Sequence, residues 1–128
     1  MTRLFVDTSA LVALAFGEPG HKRVRDLMSA AADVFASPLL EAEFRAALAR
    51  EQVDQDTSLL GSIRWVLPDR PLSAELDRVF AAGRARGADA WHLATALFLV
   101  PDSDELPFLT LDHRQRAVAE ALGFPTPS

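Results

Sequence analysis

Short apolar runs alternate along this chain with longer stretches in which apolar residues recur every three or four positions, the signatures of strands and helices respectively. Arg3 to Val6 (RLFV) is β-prone and ends at Asp7-Thr8-Ser9, after which Ala10 to Phe16 is a helix-forming run. Gly17-Glu18-Pro19-Gly20 breaks the chain, and a charged helix is expected from about His21 to Ala31. Asp33 to Ser37 (DVFAS) reads as a second buried strand. Ser37-Pro38 then starts a helix running to about Glu51, because proline at the first helical position lacks only an N–H that would be unpaired anyway. Asp56 to Val66 and Ser73 to Arg86 read as two further helices, with a short strand at Trp65 to Leu67 between them. Gly87 precedes an apolar helix from Ala88 to Val100, and PDSDELP is a loop. Phe108 to Leu111 is a strand, and Asp112 to Leu122 is a helix stopped by Gly123. Short strands alternating with helices predict an α/β fold, a parallel sheet with helices on both faces.

The length of 128 residues leaves room for one hydrophobic core, so residues 1–128 are expected to form a single domain. With 49% apolar and 24% charged residues, disordered, collagen-like and disulfide-scaffold classes are excluded. Cysteine is absent, so thiolate nucleophiles and thiolate metal sites are ruled out and any metal must be held by oxygen or imidazole. The apolar stretch near the N-terminus is interrupted by Asp7 and framed by no basic leader or small-residue cleavage site. No signal peptide is read there, and a cytoplasmic location is expected. The run Leu93 to Val100 is far short of the ~17–25 apolar residues that cross a bilayer. A net charge of −5 argues against the broad basic surface of a non-specific nucleic-acid binder. Lys22 is the only lysine, however, and the planar fork of arginine suits a local phosphate-binding patch.

In open parallel sheets, ligands bind beyond the carboxyl ends of the strands, where strand-to-helix loops and helix N-termini gather. Asp7 directly follows the first strand, Asp112 directly follows Phe108 to Leu111, and Glu43 lies in the second turn of the helix launched at Ser37. All three are expected on one edge of the sheet. From Ala88 to Val100 the only ionisable residues are Asp89 and His92, in a helix apolar on all sides and therefore buried. An ionised carboxylate buried without a partner costs several kcal/mol or more, so Asp89 needs a cation, a hydrogen-bond network or a site mouth. Leu40, Phe44, Ala47 and Leu48 form an apolar stripe that includes Glu43, which therefore points inward. Glu41 lies four residues before Arg45, the spacing of a solvated surface pair.

Each acid also has a plainer reading. Asp7 and Asp112 sit where helix N-caps belong, and Asp112 with Gln115 resembles a capping box. Asp89 can cap its helix after Gly87, and Glu43 can be half-exposed. Capping accounts for each acid singly but not for four on one edge, and that convergence favours a metal site. Mg²⁺ and Mn²⁺ take hard oxygen ligands, and a carboxylate cluster can hold one or two ions against a phosphodiester. Thr8, Ser9 and Thr110 border the acids, either as hydrogen-bond partners of the site or as turn stabilisers. His92 is read first as a satisfied core histidine and second as a residue that orients Asp89. His21 and His113 read as solvated, and no His-x-x-x-His pair exists for zinc. The glycines form neither a dinucleotide fingerprint nor a phosphate-cradling loop with lysine.

Four blocks, FVDTSALVAL, SPLLEAEFRAAL, GADAWHLATAL and FLTLDHRQRAVAEALGF, together resemble the PIN-domain nucleases, and within them the VapC toxins of bacterial and archaeal toxin–antitoxin pairs. The resemblance covers essentially the whole chain. It implies a parallel sheet of about five strands between helices. It also implies an endoribonuclease dependent on Mg²⁺ or Mn²⁺, an RNA substrate, frequent homodimers and inhibition by a cognate VapB-like antitoxin. The family's acids fall on Asp7, Glu43, Asp89 and Asp112, as catalytic and metal-holding residues. A phosphotransfer or phosphatase domain would want a second aspartate two residues after Asp7 or a lysine after a late strand, and neither is present. The remaining alternative is a non-catalytic RNA- or protein-binding module on the same fold, against which the intact acid set argues.

Overall fold

A computed structural model describes residues 3–128. In chain order these form β1 (Arg3–Val6), α1 (Thr8–Phe16), α2 (His21–Ala30), β2 (Asp33–Ala36), α3 (Leu39–Arg50) and β3 (Ile63–Trp65). They continue through α4 (Ser73–Ala82), α5 (Gly87–Leu99), β4 (Phe108–Leu109) and α6 (His113–Ala121), with single 3-10 turns at Ser58–Leu60 and Ser103–Glu105. The strands are all parallel, in the order β3-β2-β1-β4.

That order and the handedness of parallel crossovers fix the layers. The chain steps outward from β1 through β2 to β3 and then returns to the far side of β1. Right-handed connections therefore put the outbound helices on one face and the returning ones on the other. The core residues follow this division. Leu4, Val6, Val34, Ala36 and Leu109 pack with α1, α2 and α3, whereas Phe5, Phe35 and Phe108 pack with α4, α5 and α6. Burial on both faces is why the strands read as continuous apolar runs. Phe5 and Phe108 stack at 5.4 Å between ring centroids, and Phe124 packs against Phe108 at 5.6 Å. The crevice at the carboxyl ends of β1 and β4 is where strand order reverses, the place where such sheets bind ligands.

Three expectations need correction. The segment Asp56 to Val66 is not a helix but a 3-10 turn followed by β3, because Gly61 interrupts it and Ile63-Arg64-Trp65 pairs with Val34, Phe35 and Ala36. The helix expected to reach Arg86 ends at Ala82, where Gly83 turns extended and comes so close to Val118 that a Cβ there would meet its Cγ2 at 3.2 Å. The sheet has four strands among the described residues rather than about five. The final segment does run beside β4, and the Phe108 N–H donates to the Pro125 carbonyl at 2.8 Å. Pro125 and Pro127 have no N–H to return, so no ladder forms. No helix among the described residues is long and apolar enough to cross a membrane.

Candidate functional site

Asp7 occupies the residue between β1 and α1, in extended conformation, and is almost fully buried. It sits at an N-cap position, yet its side chain makes no cap hydrogen bond. Both oxygens are instead taken by hydroxyls: Ser9 Oγ donates to Oδ1 and Thr110 Oγ1 donates to Oδ2, each at 2.6 Å. Ser9 Oγ in turn accepts the Leu111 N–H, and Thr110 Oγ1 accepts the Asp112 N–H, so the two loops are tied together around this carboxylate. Burial pushes Asp7 above the ordinary carboxylate range, and the two hydroxyls only partly offset it.

Glu43, half-buried in the second turn of α3, collects two donors on a single oxygen. Thr8 Oγ1 donates to Oε1 at 2.6 Å and His92 Nε2 donates to it at 2.7 Å. The His92 bond, with help from Thr8, holds Glu43 below its usual range despite its burial. His92 is fully buried in α5, and its Nδ1 has no hydrogen-bond partner. It is therefore not a fully satisfied core histidine, and its hydrogen bond goes to Glu43 rather than Asp89, so that it joins α5 to Glu43. Glu41 pairs with Arg45 on the exposed face at 2.8 Å, as its spacing predicts.

Asp89 lies in the first turn of α5, half-buried, and no donor among the described residues reaches its carboxylate. Burial and the negative charges of Asp112 and Glu43 push it above its ordinary range. Asp112 is exposed at the start of α6 and does act as a cap, its Oδ1 accepting the Gln115 N–H at 3.0 Å. The Gln115 side chain reaches back to the Asp89 carbonyl at 3.2 Å, which fixes the two helix starts against each other. Asp89 and Asp112 line one open cleft of about 340 Å³ together with Arg86, His113 and Arg114.

The profile of the PIN domain family matches residues 4–121, nearly the whole chain. The chain belongs to the PIN domain family. PIN domains are generally nucleases that use a divalent metal, and the parallel four-stranded sheet with helices on both faces agrees with the match. A search of the curated proteins finds no match to this chain. In this PIN domain the carboxylates whose oxygens all lie within 4.8 Å of one another, among the described residues, are Asp102, Asp104 and Glu105. They are exposed and lie before β4, at the sheet edge opposite Asp7, and Asp102 is raised by its hydrogen bond and charge contact with Asp104. No three of Asp7, Glu43, Asp89 and Asp112 approach that closely; of the four, Asp89 and Asp112 share the open cleft, and Glu43 is near enough to raise Asp89.

Two features of the site go beyond what the sequence reading assigned. One is the His92 bond to Glu43, for which the only sequence signal was a histidine one turn after Asp89 on a helix that is otherwise apolar. The other is the arginine flank of the cleft, assembled from Arg86 and Arg114, which are distant in sequence.

Proposed function

We propose that this PIN domain is an endoribonuclease dependent on Mg²⁺ or Mn²⁺, with Asp7, Glu43, Asp89 and Asp112 as the catalytic, metal-holding residues. The observation that carries the reading is Asp89: a half-buried carboxylate with no hydrogen-bond donor, set beside two further carboxylates. Such a group is costly unless a cation compensates it. The four acids fit a hard divalent ion, since they offer carboxylate oxygens, and Glu43 Oε2 and Asp112 Oδ2 are left open by their hydrogen-bonded partners. Mg²⁺ keeps several waters and needs only one or two carboxylates directly, so the pair Asp89 and Asp112 on one open cleft suits it.

A metal bound there would lower the pKa of a water and neutralise charge on a phosphodiester. The chain's own residues prepare that position. Thr8 and His92 fix Glu43 through Oε1, Ser9 and Thr110 fix Asp7, and the cap to Gln115 fixes Asp112. We further propose a VapC-like toxin role in the cytoplasm, as a homodimer controlled by a VapB-like antitoxin; the four sequence blocks support it. Incubation with single-stranded RNA and Mn²⁺ should give cleavage that excess EDTA abolishes, and expression of the chain alone should arrest growth. Activity that persists in EDTA would overturn the metal mechanism, and unimpaired growth with abundant folded protein would overturn the toxin role.

A further inference from the structure

Arginines flank the acidic cleft and continue beyond it. Arg114 lines the cleft with Asp89 and Asp112, and it also lines a neighbouring one of about 320 Å³ between the end of α4 and α6. The second cleft has Arg84 on its rim and small apolar residues, Ala82, Gly83, Ala117 and Val118, as its floor. Arg84, Arg86 and Arg114 are all exposed, and none makes an ion pair among the described residues. Arg3, Arg45, Arg64 and Arg70, by contrast, are each neutralised by a carboxylate. In a chain of net charge −5, three exposed guanidiniums without an ion pair gather along one trough that opens on the carboxylates, with Arg86 near enough to ease the charge of Asp89.

We infer that this trough, from the Asp89–Asp112 cleft past Arg114 to Arg84, is the track along which the RNA backbone lies. The inference rests on the nuclease reading above. Guanidiniums suit phosphate oxygens through their planar paired donors, and they position a strand without reading its sequence. Arg86 and Arg114, beside the acids, hold the phosphates next to the scissile one, and Arg84 holds a phosphate farther along. The small apolar residues of the floor, Ala82, Gly83, Ala117 and Val118, give the face of a ribose or base a surface to lie on. A polyanion also explains how an acidic protein binds RNA, because attraction is confined to the trough while the remaining surface repels.

The test is binding of a fluorescein-labelled, unstructured single-stranded RNA in EDTA, read by anisotropy across a salt series. The variants are R84Q/R114Q, and R50Q as a control with one charge removed at the far end of α3. The double variant should bind about tenfold more weakly or worse, a loss of ~1.4 kcal/mol or more. Its log–log salt slope should also fall by ~0.7 for each phosphate that is no longer neutralised. R50Q should bind nearly as wild type, and the Mn²⁺-dependent melting shift should survive in both. Wild-type affinity and slope in R84Q/R114Q, or equal weakening in R50Q, would overturn the track. So would unchanged RNA binding with lost binding of polyglutamate, which would assign the trough to an acidic protein partner. Failure of the nuclease reading is recognised separately, by a wild-type protein with neither a Mn²⁺ melting shift nor RNA cleavage.

Discussion

Replacing Thr110 with valine removes the buried hydroxyl that donates to Asp7 and accepts the Asp112 N–H, and only the first of these bonds depends on the charge of Asp7. Thr110 is 1% exposed and Asp7 4%, and the bond between them is 2.6 Å long, so no water replaces it when the hydroxyl is removed. A hydrogen bond to a buried charged group is worth ~1.5–3 kcal/mol, and valine keeps the volume, so the loss should be about 2 kcal/mol when Asp7 is ionised. For a domain of this size each kcal/mol shifts the melting temperature by about 3–5 °C, giving a drop of about 6–10 °C near pH 8 in EDTA. The pH dependence follows from linkage. Asp7 is raised above its ordinary 3.8 in the folded protein, so its ionisation weakens the fold as pH rises above that value. Losing the Thr110 donor raises it further. The deficit of Thr110→Val is therefore largest at high pH and shrinks toward the ~1 kcal/mol of a neutral hydrogen bond as pH falls and Asp7 takes up a proton. Thermal melts of both proteins over that range test this. A variant melting within about 1 °C of wild type near pH 8, or a deficit independent of pH, would refute the placement of Thr110 on a buried ionised Asp7.

His92→Leu should lower RNA cleavage by about 10–100-fold, as loss of a residue that orients a metal-holding carboxylate does. Its melting temperature should stay within about 5 °C, because the partnerless Nδ1 is removed along with the Glu43 bond. In the wild type, Glu43 contributes stability above its ordinary 4.5 that is lost as pH falls through its lowered value; the variant should lose less on acidification. Parallel cleavage assays and melts check both. Glu41→Gln, which breaks an exposed pair four residues apart on a helix, should cost no more than ~0.5 kcal/mol and leave cleavage unchanged; a large loss of cleavage would mean that the inward and outward acids of α3 are misassigned.

The sequence made the strand-to-helix turns legible, because Asp7 and Asp112 each follow a short apolar run directly and Glu43 shares its stripe with Leu40, Phe44 and Leu48. The segment around β3 was not legible. Leu59, Leu60 and Ile63 are spaced like a helical stripe, and a three-residue edge strand is too short to show its own period. The end of α4 was missed because the helix was read on through Gly83, whereas that glycine, a poor helix former, turns extended and ends it. At the site, Asp112 makes the cap bond expected of it, whereas Asp7 holds the N-cap position but gives its carboxylate to Ser9 nearby and to Thr110 beyond another strand. Thr110 was legible as a neighbour of the acids, but its bond to Asp7 is made only by the pairing of β1 with β4. The arginine trough is likewise a product of tertiary structure, since residues 84–86 and 114 meet only when α4, α5 and α6 pack on one face.

The central claim, that these acids hold a metal, is tested most directly by the melting shift of Asp89→Asn. Asp89 is raised by burial and by its acidic neighbours, so its charge weakens the fold above the ordinary carboxylate range, and the neutral isostere removes that cost. In EDTA near neutral pH the variant should melt at or above the wild type. With millimolar Mn²⁺ the wild type should gain stability as RT ln(1 + [M]/Kd), and the variant should lose most of that gain together with RNA cleavage. A variant that melts below the wild type in EDTA, yet keeps the full Mn²⁺ shift and cleaves RNA normally, would contradict the account.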